Sequence, residues 1–144
     1  MAAMFSASLR APAESRLSAM ERGIYEEFVA QIGNSAVVVT VGMEPLQGAI
    51  VAAFGTDVAY GFIDRLLGGE GRMTVAKERD LSDIEMSLIR NHIGSDIAGG
   101  LIEPWGRTVE IEPEVIEVGG GLGSGSCHPA ERLRDHLVVR GALR

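Results

Sequence analysis

The chain has 144 residues, 46% of them hydrophobic, enough for one domain with a real core and not evidently for two. It carries 20 acidic against 13 basic residues, a formal net charge of −7. Nucleic acid and anionic membrane surfaces select basic patches and are therefore poor partners for it.

A single cysteine, Cys127, excludes an intrachain disulfide framework and a multi-cysteine metal site, and is consistent with a reducing compartment. The N-terminus, MAAMFSASLRAP, lacks a basic segment followed by a long apolar run, so a secretory signal is not expected. No stretch approaches the roughly 18 apolar residues of a spanning helix, which makes cytosol the default expectation.

Residues 5–13 are small and mixed, fit to end an upstream helix or lead into a strand. Ser18-Ala-Met-Glu21 reads as a capping box opening a helix whose face carries Ile24, Phe28 and Ile32, with Gly33 as its stop. Two strand-like runs come next, Ala36–Met43 (AVVVTVGM) and Leu46–Phe54 (LQGAIVAAF), separated by Glu44-Pro45 and most simply joined as a hairpin. Thr56 and Asp57 start a further helix with Val58, Phe62 and Leu66 on one face, stopping at Gly68-Gly69. The link EGRMTVAKERD is charged and expected to be exposed.

Ser82-Asp-Ile-Glu85 is a second capping box, with Leu81 before it as a hydrophobic staple. The helix it opens places Ile89, Ile93, Ile97 and Leu101 four residues apart, with Ile84 and Leu88 widening the stripe. Gly99-Gly100 weakens its end and Pro104 closes it. Residues 107–118 read as an extended segment interrupted by Pro113. From Gly119 the chain turns linker-like and then basic and weakly periodic, and no internal repeat is evident.

Catalytic chemistry finds little support. Cys127 and His128 are adjacent, and neighbouring side chains diverge in an extended chain, which suits tail residues better than a thiolate–imidazole pair. His92 lies mid-helix and His136 in the tail. The carboxylates Glu26-Glu27, Asp83 with Glu85, and Glu110, Glu112 and Glu114 fall on expected solvated faces or caps, without the converging cleft that acid–base work needs. The glycine-rich stretch RLLGGEGR, residues 65–72, matches no phosphate fingerprint, because its glycines come after a helix rather than before one. A plain helix cap and an exposed contact loop both remain open for it.

The stretches YGFIDRLLGGEG, ERDLSDIEMSLIRNHIGSDIAGGLIEPW and SLRAPAESRLSAMERGIYEEFVAQI resemble, in continuous order over residues 5–118, the middle domain of the FliM family of bacterial flagellar motor switch proteins. That resemblance implies an α/β fold, the CheC-like pseudo-twofold α/β/α layered fold, with only its first part present: residues 1–118 a partial middle domain, 119–144 a non-matching Gly/Ser/Arg-rich tail. Such a truncation would leave Ala36–Met43 or its neighbour as an unpaired apolar edge. The implied function is a non-enzymatic switch component with no cofactor, packed beside neighbouring FliM copies in the cytoplasmic ring, peripheral to the inner membrane. Its Gly-Gly-x-Gly loop would contact FliG. Carried onto this chain, the contact residues are Gly68, Gly69, Glu70 and Gly71, with Arg72, Asp64 and Arg65 as looser candidates. The family segments that bind phospho-CheY and FliN are not matched. A rival in the same fold is a CheC-type phosphatase acting on phospho-CheY. By register its Glu-x-x-Asn pair falls on Asn91 and Gly94, neither of which fits.

Overall fold

The structure is a computed structural model that describes residues 2–23, 25–32, 36–71, 79–120 and 136–143. In chain order the elements are α1 (Ala2–Leu9), β1 (Ser15–Gly23), α2 (Tyr25–Ile32), β2 (Ala36–Glu44), β3 (Ala49–Gly55), α3 (Thr56–Leu66), α4 (Asp83–Leu88), a π-helical turn (Ile89–Gly94), α5 (Ser95–Trp105), β4 (Glu112–Gly120) and β5 (His136–Leu143). The fold is mixed α/β with a three-stranded antiparallel sheet in the order β3-β2-β4 and a separate antiparallel pair, β1-β5.

The valine run of β2 belongs in a sheet because β-branched side chains stand well on a pleated surface. It pairs with β3 from Ala36↔Gly55 to Gly42↔Ala49. The hairpin turn contains a cis Glu44–Pro45 bond and is closed by the Leu46 amide donating to the Met43 carbonyl at 2.7 Å. On its other side β2 pairs with β4, so β2 is central and no part of Ala36–Met43 is an edge. Among the described residues the outer strands are β3 and β4, and Pro113 sits in β4, where a missing backbone donor is tolerated.

Alternation along β2 directs Val37, Val39, Val41 and Met43 to one face, where they meet Ile50, Ala52 and Phe54 of β3 and Val115 and Val118 of β4. Helices cover that face. Phe62 of α3 stacks on Phe5 of α1 with centroids 6.2 Å apart and meets Phe54 edge-on at 5.7 Å. The long helix contributes Ile89, Ile93, Ile97 and Leu101, all buried, as their spacing predicts. In a strict α-helix a spacing of four drifts by about 40° per step. The π turn at Ile89–Gly94 winds less per residue and offsets part of that drift, keeping the stripe over the sheet.

The helix comes very close to the sheet at Gly94, where a Cβ would lie 2.9 Å from Val115 Cγ2. The strand below is irregular. Register shifts between Thr40 and Val41, leaving Ile116 as the extra residue of a bulge in β4. Arg90, on the π turn, donates to the carbonyls of Val115 and Ile116 at 3.0 and 3.1 Å.

Three expectations are corrected. Ser18-Ala-Met-Glu21 is not a helix cap: it lies in β1, with Ser18 at a register shift, and the helix starts only at Tyr25. The backbone groups of β1 are taken by β5, more than a hundred residues away, a partner no local pattern reveals. Ile84 does not widen the apolar stripe but is 75% exposed, because five residues before Ile89 places it about 140° around the helix. Of the stretch expected to be linker-like, Gly119 and Gly120 belong to β4 and residues 121–126 lie outside the described residues, while the stretch read as basic and weakly periodic forms a strand, β5, at His136–Leu143. Ile24, Gly33, Cys127 and His128 lie outside the described residues. The capping box at Ser82 is present: its Oγ accepts from the Glu85 amide, Glu85 accepts from the Ser82 amide, and Leu81 is buried in front of it.

Two isoleucines on the long helix test this packing. Ile93→Ala is expected to lose about 3 kcal/mol in urea denaturation, whereas Ile84→Ala is expected to change stability by no more than about 0.5 kcal/mol.

Candidate partner-binding site

The end of α3 is built by its own backbone. Leu67 is the C-cap. Gly68 comes next at φ +92, a left-handed conformation that disfavours any side chain. Its amide donates to the Arg65 carbonyl at 3.0 Å, and the Gly69 amide reaches back to the Asp64 carbonyl at 2.7 Å. These two bonds form a Schellman motif, which satisfies the last carbonyls of the helix.

Beyond Gly69 the path of the turn is fixed by side chains. Asp64 Oδ2 accepts from the Gly71 amide at 2.7 Å. The same carboxylate occupies the space where a Cβ on residue 69 would stand. Gly71 is again left-handed, at φ +72, and a Cβ there would meet Arg65 Nε at 2.6 Å. Gly68, by contrast, has nothing within 4 Å of its missing Cβ, so its backbone is open to approach. Glu70 is exposed at the apex, and Leu67 at the base is 73% exposed. Of the residues singled out in the sequence, Asp64, Arg65, Gly68, Gly69, Glu70 and Gly71 are thus brought together, while Arg72 lies outside the described residues.

A second cluster holds the start of α4. The Tyr60 hydroxyl donates to the Arg79 carbonyl at 2.9 Å, and the Arg79 guanidinium lies 5.1 Å from the Tyr60 ring centroid. Arg79 donates to both oxygens of Glu85, at 2.8 and 2.6 Å. Glu85 also accepts from the Ser82 amide and hydroxyl at 2.8 and 3.0 Å. The Arg79 hydrogen bonds, helped by those from Ser82, hold the Glu85 carboxyl down to about 2. The sequence marks Glu85 only as a helix cap. Tyr60 and Arg79 stand in stretches that resemble the family, but nothing in the sequence pairs them, since their partnership spans nineteen positions.

The rival phosphatase pair is not formed at Asn91 and Gly94, the positions its register assigns. Asn91 is exposed on a shallow groove of about 420 Å3 between the long helix and β4. Gly94 is buried with Val115 in the space a side chain would need, so no amide can project from that position. Among the described residues, no group of three His, Cys, Asp or Glu is placed to hold a metal, and no helix is long and apolar enough to cross a membrane.

A family model described as flagellar motor switch protein FliM matches residues 1–120. The flagellar motor switch protein FliM of Borreliella burgdorferi is 32% identical over 108 residues, 75% of this chain and 30% of the relative. That of Bacillus subtilis is 32% identical over 113 residues, 78% of this chain and 33% of the relative. The chain therefore spans about a third of the length of these relatives. Among solved structures, a chain in the FliG–FliM complex of H. pylori superposes with a TM-score of 0.84 at 23% identity, covering 99% of this chain and 76% of that one. Both the helices and the antiparallel sheet are thereby those of a known fold.

The depressed carboxyl of Glu85 makes a pH prediction. Its native value lies below the ordinary 4.5, so the ionised pair stabilises the fold fully above about pH 4.5 and loses that effect as pH falls toward 2. The gap in thermal midpoint between wild type and Glu85→Gln is expected to be largest near pH 6 and to shrink by about pH 3.

Proposed function

The chain belongs to the flagellar motor switch protein FliM family, and from that premise we propose that it is a partner-binding component of the motor's cytoplasmic ring, with the turn Gly68–Gly71 as its contact for FliG. The observation that carries this reading is the turn itself. Its shape is set from within by the Schellman bonds and by Asp64 and Arg65, while the Gly68 backbone faces open space. A preformed turn with bare backbone lets another chain approach closely and costs little ordering when it does. The solved FliG–FliM complex of H. pylori, to which the fold is similar, supports FliG as that partner.

In this reading Gly68, Gly69 and Gly71 supply the surface, Asp64 holds the turn through Gly71, Arg65 lies against Gly71, and Arg72 is a looser candidate that follows in the sequence. Glu70 fills a position where side-chain identity matters less. The protein acts by contact rather than chemistry, packs beside further copies of itself, and relays a chemotactic signal to the direction of rotation from a place peripheral to the inner membrane. The blocked position at Gly94 supports an absence of phosphatase activity.

In a pull-down with purified FliG, the wild-type chain is expected to be retained and Gly68→Val and Gly69→Val to be lost, with thermal midpoints recorded to show that both variants are folded. Retention of folded variants at the wild-type level would sink the assignment of the turn. Release of phosphate from phospho-CheY is expected to stay at the rate of its own hydrolysis when the chain is added.

A further inference from the structure

The glycine turn gives a partner room, and room alone supplies little affinity. Gly68, Gly69 and Gly71 let another chain come close, but a glycine brings almost no apolar surface to bury. A few well-buried side chains carry most of the binding energy of an interface. Between Asp64 and Gly71 the chain has two large apolar side chains, Leu66 and Leu67. Leu66 is half-buried and packs against the core. Leu67 is 73% exposed. Its backbone still belongs to the end of the helix, its amide donating to the Ile63 carbonyl at 3.0 Å, and Ile63 itself is buried. One turn along α3 an apolar side chain has thus passed from core to solvent, so the helix runs past the edge of what it packs on. A single exposed apolar residue is ordinary on a protein surface, and Ile84 on α4 is one. What sets Leu67 apart is its place. It shares a peptide bond with Gly68, the glycine of the turn whose missing Cβ has nothing within 4 Å.

We propose that Leu67 is the apolar anchor of the FliG contact: FliG buries this side chain in an apolar pocket while its backbone closes on Gly68. The proposal rests on the reading of the glycine turn as that contact. The two residues divide the work. Gly68 lets the surfaces approach, and Leu67 supplies the apolar area whose removal from water favours the complex. A pocket shaped for leucine also gives specificity. Methionine, of similar volume and apolar, fits it with little loss, whereas alanine leaves a void where the leucine stood.

The test is calorimetric titration of the full chain with purified FliG at several temperatures, with the thermal midpoint of each variant recorded. Leu67 is mostly in solvent in the free chain, so Leu67→Ala is expected to keep the wild-type midpoint. Its loss shows on binding: affinity about tenfold weaker, with a less negative heat-capacity change because less apolar surface is buried. Leu67→Met is expected to bind within about threefold of wild type. Ile84→Ala, which trims an equally exposed isoleucine on another helix, is expected to bind as wild type does. Wild-type affinity in Leu67→Ala, under conditions where folded Gly68→Val has lost binding, overturns the anchor and leaves the turn as the contact. A loss in Ile84→Ala as large as in Leu67→Ala overturns it too, because the effect then does not belong to this position. Wild-type binding by Gly68→Val and Leu67→Ala alike overturns the reading of the turn itself, and the anchor with it.

Discussion

The contact between the long helix and the central strand sets the rest of the architecture. Ile89 and Ile93 are wholly buried over Val37, Val39 and Val41, also wholly buried, and these five are the largest such side chains among the described residues. Burying apolar surface of this kind is the main favourable term in folding. It also imposes a distance. Gly94 admits the helix to within a methyl group of Val115, so a bulkier residue there would lift the helix from the sheet. The π turn is the local adjustment that keeps an isoleucine stripe spaced by four residues facing one way.

From that contact the geometry of the candidate site is reached in short steps. The sheet positions α3 through Phe54 and Phe62, and α3 in turn carries Asp64 to the glycine turn and Tyr60, packed against the core at its ring, to the Arg79 carbonyl. The glycine turn is not a slack end of a helix. Each of its glycines answers a distinct demand: a left-handed backbone at Gly68 and Gly71, and an occupied space at Gly69. Asp64, named from the sequence as a neighbour of the turn, is an internal support through its bond to the Gly71 amide, and Arg65 packs against Gly71.

Local signals in the sequence were sufficient wherever structure is made by neighbours. The hairpin of β2 and β3, the helix stop at Gly68, and the Ser82–Glu85 capping box depend on residues a few positions apart, and all three stand as read. What failed depends on distant pairing. Ser18 has the pattern of a cap, yet β5 recruits its segment into a ribbon. Ile84 has the right residue type for the core, but its angle around the helix carries it to solvent. In the site, the three glycines were legible because glycine advertises unusual backbone. The Tyr60–Arg79–Glu85 cluster was not, because an arginine in a charged segment looks the same whether it is solvated or clasped.

The arginine that spans from the π turn to β4 bears on the behaviour of the protein at high concentration. Outer strands invite pairing with other chains, since they offer rows of free carbonyls and amides. In β4 the bulge at Ile116 breaks the regular ladder, and Arg90 already engages two successive carbonyls, those of Val115 and Ile116. An intruding strand would have to displace a cation that gives up two hydrogen bonds, and it would find an irregular template beneath. The same side chain that ties helix to sheet thus also takes up two carbonyls of an outer strand that a pairing chain would otherwise find free.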